Sequence, residues 1–290
     1  GSFMLLLLLA SVLSAALAGN RVVAIGDLHA DPEAAQTTLR IAGLMDEQGH
    51  WTGGTSVLIQ TGDVTDKGPS SSGVAKLLSR LQLEAPKSGG KVIGVLGNHE
   101  MMNWTGDWRG VTPADLSEFE SPAARMNDLK KDGAMGRWIL GTRMVVIHDG
   151  VLYCHGGVSA EMAEMGAERL TAIKATDVNI ESNLTLFGGD GPMWYRGYLL
   201  NSETEACAEA TKVLSKLGVE RMVVGHTTQR DGRIRSRCGG TILGIDTGIS
   251  GYAGHNFAAL EIHNNDAKAL YANETVDLPD PTHRHLSETP

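Results

Sequence analysis

Asp27 and His29 stand two residues apart in Gly26-Asp27-Leu28-His29, just past an apolar run. Side chains at i and i+2 of an extended segment point the same way, so a carboxylate and an imidazole can grip one cation there. Asp63, in Gly62-Asp63-Val64-Thr65-Asp66, follows a second apolar run. A carboxylate has lone pairs enough to bridge two cations. Asn98, in Gly97-Asn98-His99-Glu100, offers a neutral carbonyl oxygen to the second cation, and His155 and His226 complete that side. Mixed Asp/His/Asn ligands suit manganese foremost, with iron or zinc as alternatives. Two such divalent ions about 4 Å apart can hold a hydroxide at neutral pH and clamp a phosphate ester during in-line attack. His99 follows a ligand directly, and adjacent strand-end residues diverge. It can therefore protonate the leaving alkoxide, with Asp66 as the carboxylate that orients and charges it.

These residues need strands beneath them. Arg21–Ile25, Ser56–Gln60 and Lys91–Leu96 read as short buried strands, each ending at a motif. Asp31-Pro32 looks like an N-cap with proline at the first helical position, opening a helix to about Gly43. After Gly68-Pro69, serines cap a second helix with Val74, Leu77, Leu78 and Leu81 on one face. Ligands of open α/β sheets gather at the carboxyl ends of strands, where all three motifs fall. Residues 103–141 read as a helical insertion, starting at Thr112-Pro113 and broken at Pro122. Met144–Ile147 and Val151–Cys154 flank Asp149-Gly150 as a hairpin ending at His155. A second insertion, about 159–201, holds Trp194-Tyr195-Arg196-Gly197. Ser202 and Glu205 then form a capping box for a helix stopped at Gly218. Arg221–Val224, Thr241–Ile245 and Phe257–Ile262 read as further strands. The expected layout is thus a domain over 19–276 with insertions at about 103–141 and 159–201, then a polar tail over 277–290.

A net charge of −9 without a Lys/Arg run argues against nucleic acid or an anionic membrane surface as partner. A phosphate substrate would be attracted locally. Gly1-Ser2 looks like a cloning scar, and Phe3–Ala18 is an uncharged apolar stretch ending in Ala16-Leu17-Ala18. Its length suits a signal-peptide core, giving a periplasmic or secreted protein. The alternatives are a buried core helix or an uncleaved anchor, the latter membrane-associated. Retained, the segment would have to pack on its own or a neighbouring chain, a route to self-association. Of the cysteines, Cys154 reads as a buried small residue, while Cys207 and Cys238 are either a disulfide or two unrelated thiols.

The motifs GDxH, GDxxD, GNHE, HGG and GH, in that order over residues 21–262, resemble the phosphoprotein phosphatases of the PPP superfamily. The Trp194-Tyr195-Arg196-Gly197 element and the long segment after GNHE are most similar to the Shewanella-like protein phosphatases. The resemblance implies an α/β fold, a four-layer α/β/β/α sandwich of the calcineurin-like metallophosphoesterase type. It implies Asp27, His29 and Asp63 on one metal, and Asp63, Asn98, His155 and His226 on the other. His99 and Asp66 carry over as the acid pair, and Arg196 resembles a phosphate-gripping arginine. Lys67, Arg196 and Asn98 are the expected substrate-binding residues. The family's GDxxDRG reads Gly62-Asp63-Val64-Thr65-Asp66-Lys67-Gly68, so a bidentate arginine is replaced by a point charge. The SAPNY loop of eukaryotic Ser/Thr enzymes is absent; Tyr252 or His255 could reach the site from Gly251-Tyr252-Ala253-Gly254-His255, with a surface turn as the preferred reading. The implied activity is hydrolysis of phosphomonoesters, phosphotyrosine and/or phosphoserine/threonine, on a protein or peptide by a metal-bridging hydroxide. The rival readings are a dinucleoside polyphosphate hydrolase or other small-molecule phosphoesterase, and a non-catalytic metal-bound scaffold.

Overall fold

In the computed structural model the described residues are 21–177 and 184–281. The apolar segment over 3–18, with the self-association expected of it, lies outside them. Strands β1 (Val22–Ile25), β2 (Val57–Gln60) and β3 (Lys91–Gly94) run parallel in one sheet. Strands β4 (Val145–His148), β5 (Val151–Cys154), β6 (Arg221–Val224), β7 (Arg235–Arg237) and β8 (Ile242–Gly244) build another. Strands β9 (Ala258–His263), β10 (Asp266–Tyr271) and β11 (Thr275–Leu278) return to the first sheet. Its order is β11-β10-β9-β1-β2-β3, and the five-stranded sheet runs β4-β5-β6-β8-β7.

Alternation along these strands sets the layers. Val22 and Ala24 of β1 and Val57 and Ile59 of β2 pack with Tyr153, Val223 and Leu243 between the sheets. The intervening Val23, Ile25, Leu58, Leu152, Met222 and Val224 face outward onto helical residues such as Leu39, Leu78, Leu81, Val213 and Leu217. Strands apolar on both faces are those covered on both faces. Helices, sheet, sheet and helices therefore stack as the expected four-layer α/β/β/α sandwich. The helix Pro32–Ile41 is opened by Asp31, whose side chain accepts from Ala34 N, with Pro32 just inside. The helix Glu203–Leu217 carries the Ser202/Glu205 capping box and ends at Gly218 with φ 68°.

Among the described residues, both segments expected as insertions carry short helices. The first holds Pro113–Ser117, Pro122–Asp128 and Ala134–Gly141, and Thr112 caps its start by accepting from Asp115 N. The Asp149-Gly150 hairpin turn has φ 46° and 75°, as a two-residue turn with both residues left-handed requires. Three strands were not expected: β7, β10 and β11. In β10 the inward residues are Ala267 and Ala269, too small to make a strong apolar signal. Its hairpin with β9 turns on Asn264-Asn265, φ 51° and 71°, without the glycine that usually marks such a turn. The boundary expected at residue 277 falls inside β11. Cys207 and Cys238 are bonded, Cα–Cα 5.3 Å, joining the helix Glu203–Leu217 to the turn before β8. Cys154 is a buried free thiol. Among the described residues no helix is long and apolar enough to cross a membrane.

Candidate functional site

The carboxyl ends of β1, β2, β3, β5 and β6 converge where the two sheets meet. Asp27, Asp63, Asn98, His155 and His226 lie just past these five ends, and all are buried. Backbone bonds lock the loops together: Leu28 N and His29 N both donate to Asp63 O, at 3.0 and 2.9 Å. His226 N donates to Asp27 Oδ1 at 3.1 Å, and His155 Nδ1 meets Thr61 O at 2.8 Å, so each sheet reaches into the other. His29, Asp63, Asp66, Lys67 and His226 all have φ between 39° and 70°. Side chains rarely tolerate this region, and such strain persists where the surroundings over-determine it. At Gly62, with φ 98°, a Cβ would stand 2.7 Å from Gly97 Cα. That close approach needs glycine.

Glu100, which is not among the residues expected at the site, provides much of the over-determination. Its Oε2 accepts from Gly97 N and Asp63 N at 2.9 and 2.8 Å. Its Oε1 accepts from Val64 N, Thr65 N and Thr65 Oγ1 at 2.8, 3.0 and 3.1 Å. The signal lay in the GNHE motif itself, which begins the helix Asn98–Trp104 and places Glu100 at its third position. One carboxylate thus fastens the Asp63 loop to a helix N-terminus.

Within this frame the donor atoms crowd together. His29 Nε2 is 3.7 Å from Asp27 Oδ2 and 3.8 Å from Asp63 Oδ2. His155 Nε2 is 2.9 Å from Asn98 Oδ1 and 3.2 Å from Asp63 Oδ1. Ligand-type atoms of Asp63, His155 and His226 all lie within 4.8 Å of one another, and so do those of His29, Asp63 and His99. Buried His226 Nε2 has no hydrogen-bond partner. An orphaned imidazole nitrogen beside carboxylates, an amide and other imidazoles fits a cation. His99 differs in that its Nδ1 is taken by Asp66 Oδ2 at 2.7 Å. Its Nε2 stands 3.9 Å from Asp63 Oδ2, and the ring lines the cleft.

Electrostatics supports the same reading. Burial is the main cause holding His29 down to about 3 and His226 down to about 2. Both are then neutral, the form that ligates metal. Burial, reinforced by Asp246, holds Asp27 well above the usual carboxylate range. For Asp63 burial acts in the opposite sense, yet His155 and then His99 hold it well below that range. His155 rises to about 10, as Asp63 and Asp27 overcome the effect of burial. Acids and imidazoles this close share protons, and bound cations would displace those protons.

The cluster opens into a cleft of about 790 Å³. Lys67, Asn98 and Arg196, the residues expected to bind substrate, line it together with Arg109, Trp194 and Tyr252. Lys67 Nζ lies 3.1 Å from His29 Nε2 and 5.4 Å from the Tyr252 ring centre. Arg196 donates to His226 O at 2.7 Å and Thr227 Oγ1 at 3.3 Å, so it also braces the loop carrying His226. Tyr252 is 68% exposed, as a surface turn should be, yet it stands at the mouth of the cleft 6.3 Å from the His29 ring. His255 turns away and meets Asp31 Oδ2 at 3.2 Å.

Residues 20–230 match the family described as calcineurin-like phosphoesterase. An uncharacterized protein of Schizosaccharomyces pombe is 40% identical over 276 residues, 89% of this chain and 82% of that protein. Shewanella-like protein phosphatase 2 of Arabidopsis thaliana is 32% identical, covering 80% of this chain and 72% of the relative. The crystal structure of a cold-active protein-tyrosine phosphatase from a psychrophilic Shewanella species superposes with a TM-score of 0.79 at 28% identity. That superposition covers 89% of this chain and 80% of the other. With its strand-end cluster and sandwich fold, the chain belongs to the calcineurin-like phosphoesterases as a homologue of the Shewanella-like protein phosphatases.

Proposed function

We propose that the protein is a binuclear metal-dependent phosphatase that hydrolyses phosphomonoesters on protein side chains. The observation carrying this is the convergence of six ligand-type residues beside a separate His99–Asp66 pair, with His29, Asp63, Asn98, His99 and His226 lining one cleft. Asp27, His29 and Asp63 would hold one divalent ion, and Asp63, Asn98, His155 and His226 the other. When bound, two such ions supply Lewis-acid activation of water and neutralise the charge of the phosphate. Manganese is the metal proposed first, since carboxylate and amide oxygens suit it, with iron or zinc as the alternatives that imidazole admits. Lys67 and Arg196 line the wall that receives phosphate oxygens. His99, with Nδ1 held by Asp66, keeps Nε2 for donating a proton to the leaving oxygen.

Phosphotyrosine is the preferred substrate in this reading. Trp194 and Tyr252 give the cleft aromatic walls, and the superposed Shewanella enzyme is a protein-tyrosine phosphatase. An oxidising compartment outside the cytosol is the proposed location, supported by the Cys207–Cys238 bond and the apolar segment over residues 3–18. The test is turnover of phosphotyrosine, phosphoserine and phosphothreonine peptides with manganese, iron or zinc. We expect phosphotyrosine to be cleaved fastest with manganese bound. Turnover of a dinucleoside tetraphosphate but of no phosphopeptide would sink the proposal in favour of a nucleotide hydrolase. No turnover even of an aryl phosphate, unchanged by His99→Asn, would leave only a scaffold.

A further inference from the structure

We propose that Asn103 and Arg125, from the insertion after GNHE, form a buried positioning relay for the acid pair; this rests on reading His99 as the general acid. Asp66 is fully buried, so protein groups must satisfy both of its oxygens. His99 Nδ1 takes Oδ2 at 2.7 Å, and Asn103 Nδ2 takes Oδ1 at 2.7 Å. The same Nδ2 donates to His99 O at 2.9 Å, tying both members of the pair to one amide.

A side-chain amide can flip end for end, and Arg125 decides which way this one faces. Guanidinium only donates, so Arg125 Nη1, 2.8 Å away, must meet Asn103 Oδ1. That turns the NH2 group toward Asp66. Arg125 is itself 0% exposed. Asp115 Oδ2 clamps it through Nε at 3.1 Å and Nη2 at 2.8 Å, and it lies 4.8 Å over the Trp108 ring. Asp115 Oδ1 accepts from Ser71 N at 2.6 Å, and Ser71 Oγ accepts from Asp66 N at 3.2 Å. The chain of bonds therefore closes back on Asp66. This closed ring of hydrogen bonds fixes the plane of the Asp66 carboxylate, and through it the direction of His99 Nε2.

The test compares two leaving groups. p-Nitrophenolate departs without a proton, whereas phenolate from phenyl phosphate benefits from one. Asn103→Ala should lower kcat on phenyl phosphate by about tenfold more than on p-nitrophenyl phosphate, part of the effect expected for a general acid. KM and bound manganese should stay unchanged. Equal loss on both substrates, or no loss, overturns the relay. Should Asn103→Ala fail to fold, the double variant Arg125→Met with Asp115→Asn serves instead. It removes the buried ions together and keeps an acceptor for Ser71 N, and the same selective loss is expected. His99→Asn separates the two ideas. If it shows no leaving-group selectivity, the acid reading falls and the relay with it. If it is selective while both relay variants are not, the relay alone falls.

Discussion

Lys67 is the residue at which this chain departs most clearly from the GDxxDRG pattern, and its ammonium sits against His29 and the Tyr252 ring. A lysine meets a phosphate oxygen as a point charge, without an arginine's planar fork. Removing one charge-assisted bond of this kind costs about 1.5–3 kcal/mol. Lys67→Ala is therefore expected to raise KM for an aryl phosphate about tenfold or more, with the smaller change in kcat. Steady-state kinetics on the metal-loaded enzyme checks this, and an unchanged KM removes Lys67 from the substrate site. Tyr252 belongs to the same argument: an exposed aromatic at the mouth should affect aromatic phosphoesters more than alkyl ones. Tyr252→Ala is expected to raise KM for a phosphotyrosine peptide while leaving that for phosphoserine nearly unchanged. Equal effects on both peptides would make Tyr252 a bystander.

At the scale of elements, the site depends on how the helix Asn98–Trp104 clasps the loop after β2. Glu100 receives the backbone of that loop and of the helix start, but lines no part of the cleft. Glu100→Gln replaces one acceptor oxygen by a donor facing backbone N–H groups. Supporting residues around metal ligands usually change affinity about 10–100-fold. The expected result is weaker manganese binding of that order, read by calorimetry on apoprotein, with β-sheet circular dichroism retained. Manganese binding at full strength would show that the loop holds its shape without this clasp. Gly62 makes a stricter demand, since its φ of 98° and its approach to Gly97 leave no room for a methyl group. Gly62→Ala should displace Asp63 and abolish metal binding outright.

At the scale of the whole molecule, two devices tie distant parts together. The Cys207–Cys238 bond closes a separation of 31 residues between a covering helix and the five-stranded sheet. A loop of this length stabilises the folded state by about 3–4 kcal/mol in the chain-entropy account. Cys207→Ser with Cys238→Ser should lower the urea midpoint accordingly, while buried Cys154 stays unreactive until unfolding. A wild-type midpoint in the double variant would mean the link constrains little. The second device is the cluster of candidate metal ligands, which joins the ends of both sheets. Ligands that bind only the folded state stabilise it by mass action. Chelation should therefore lower the melting temperature, and added manganese should restore it, with a rise that grows as the logarithm of its concentration. A melting temperature indifferent to chelator would argue that the two sheets meet without cations.

The candidate ligands, their order and their strand-end positions were legible in the chain because each motif contains glycine and follows an apolar run too short for a helix. The short apolar runs of β1, β2, β5 and β6 likewise read as buried strands, and the structure covers both of their faces. The strands β10 and β11 were not legible, since Ala267 and Ala269 carry little apolar signal and Asn264-Asn265 turns without glycine. Nor were Arg125 and Asp115, which stand 22 and 12 residues beyond Asn103 in an insertion with no motif of its own. Local sequence determines which groups a strand end presents, because strand, cap and turn energies act over a few residues. Only the tertiary structure decides which distant group is buried against them. A hydrogen bond such as that from Arg125 to Asn103 depends on packing that no local pattern encodes.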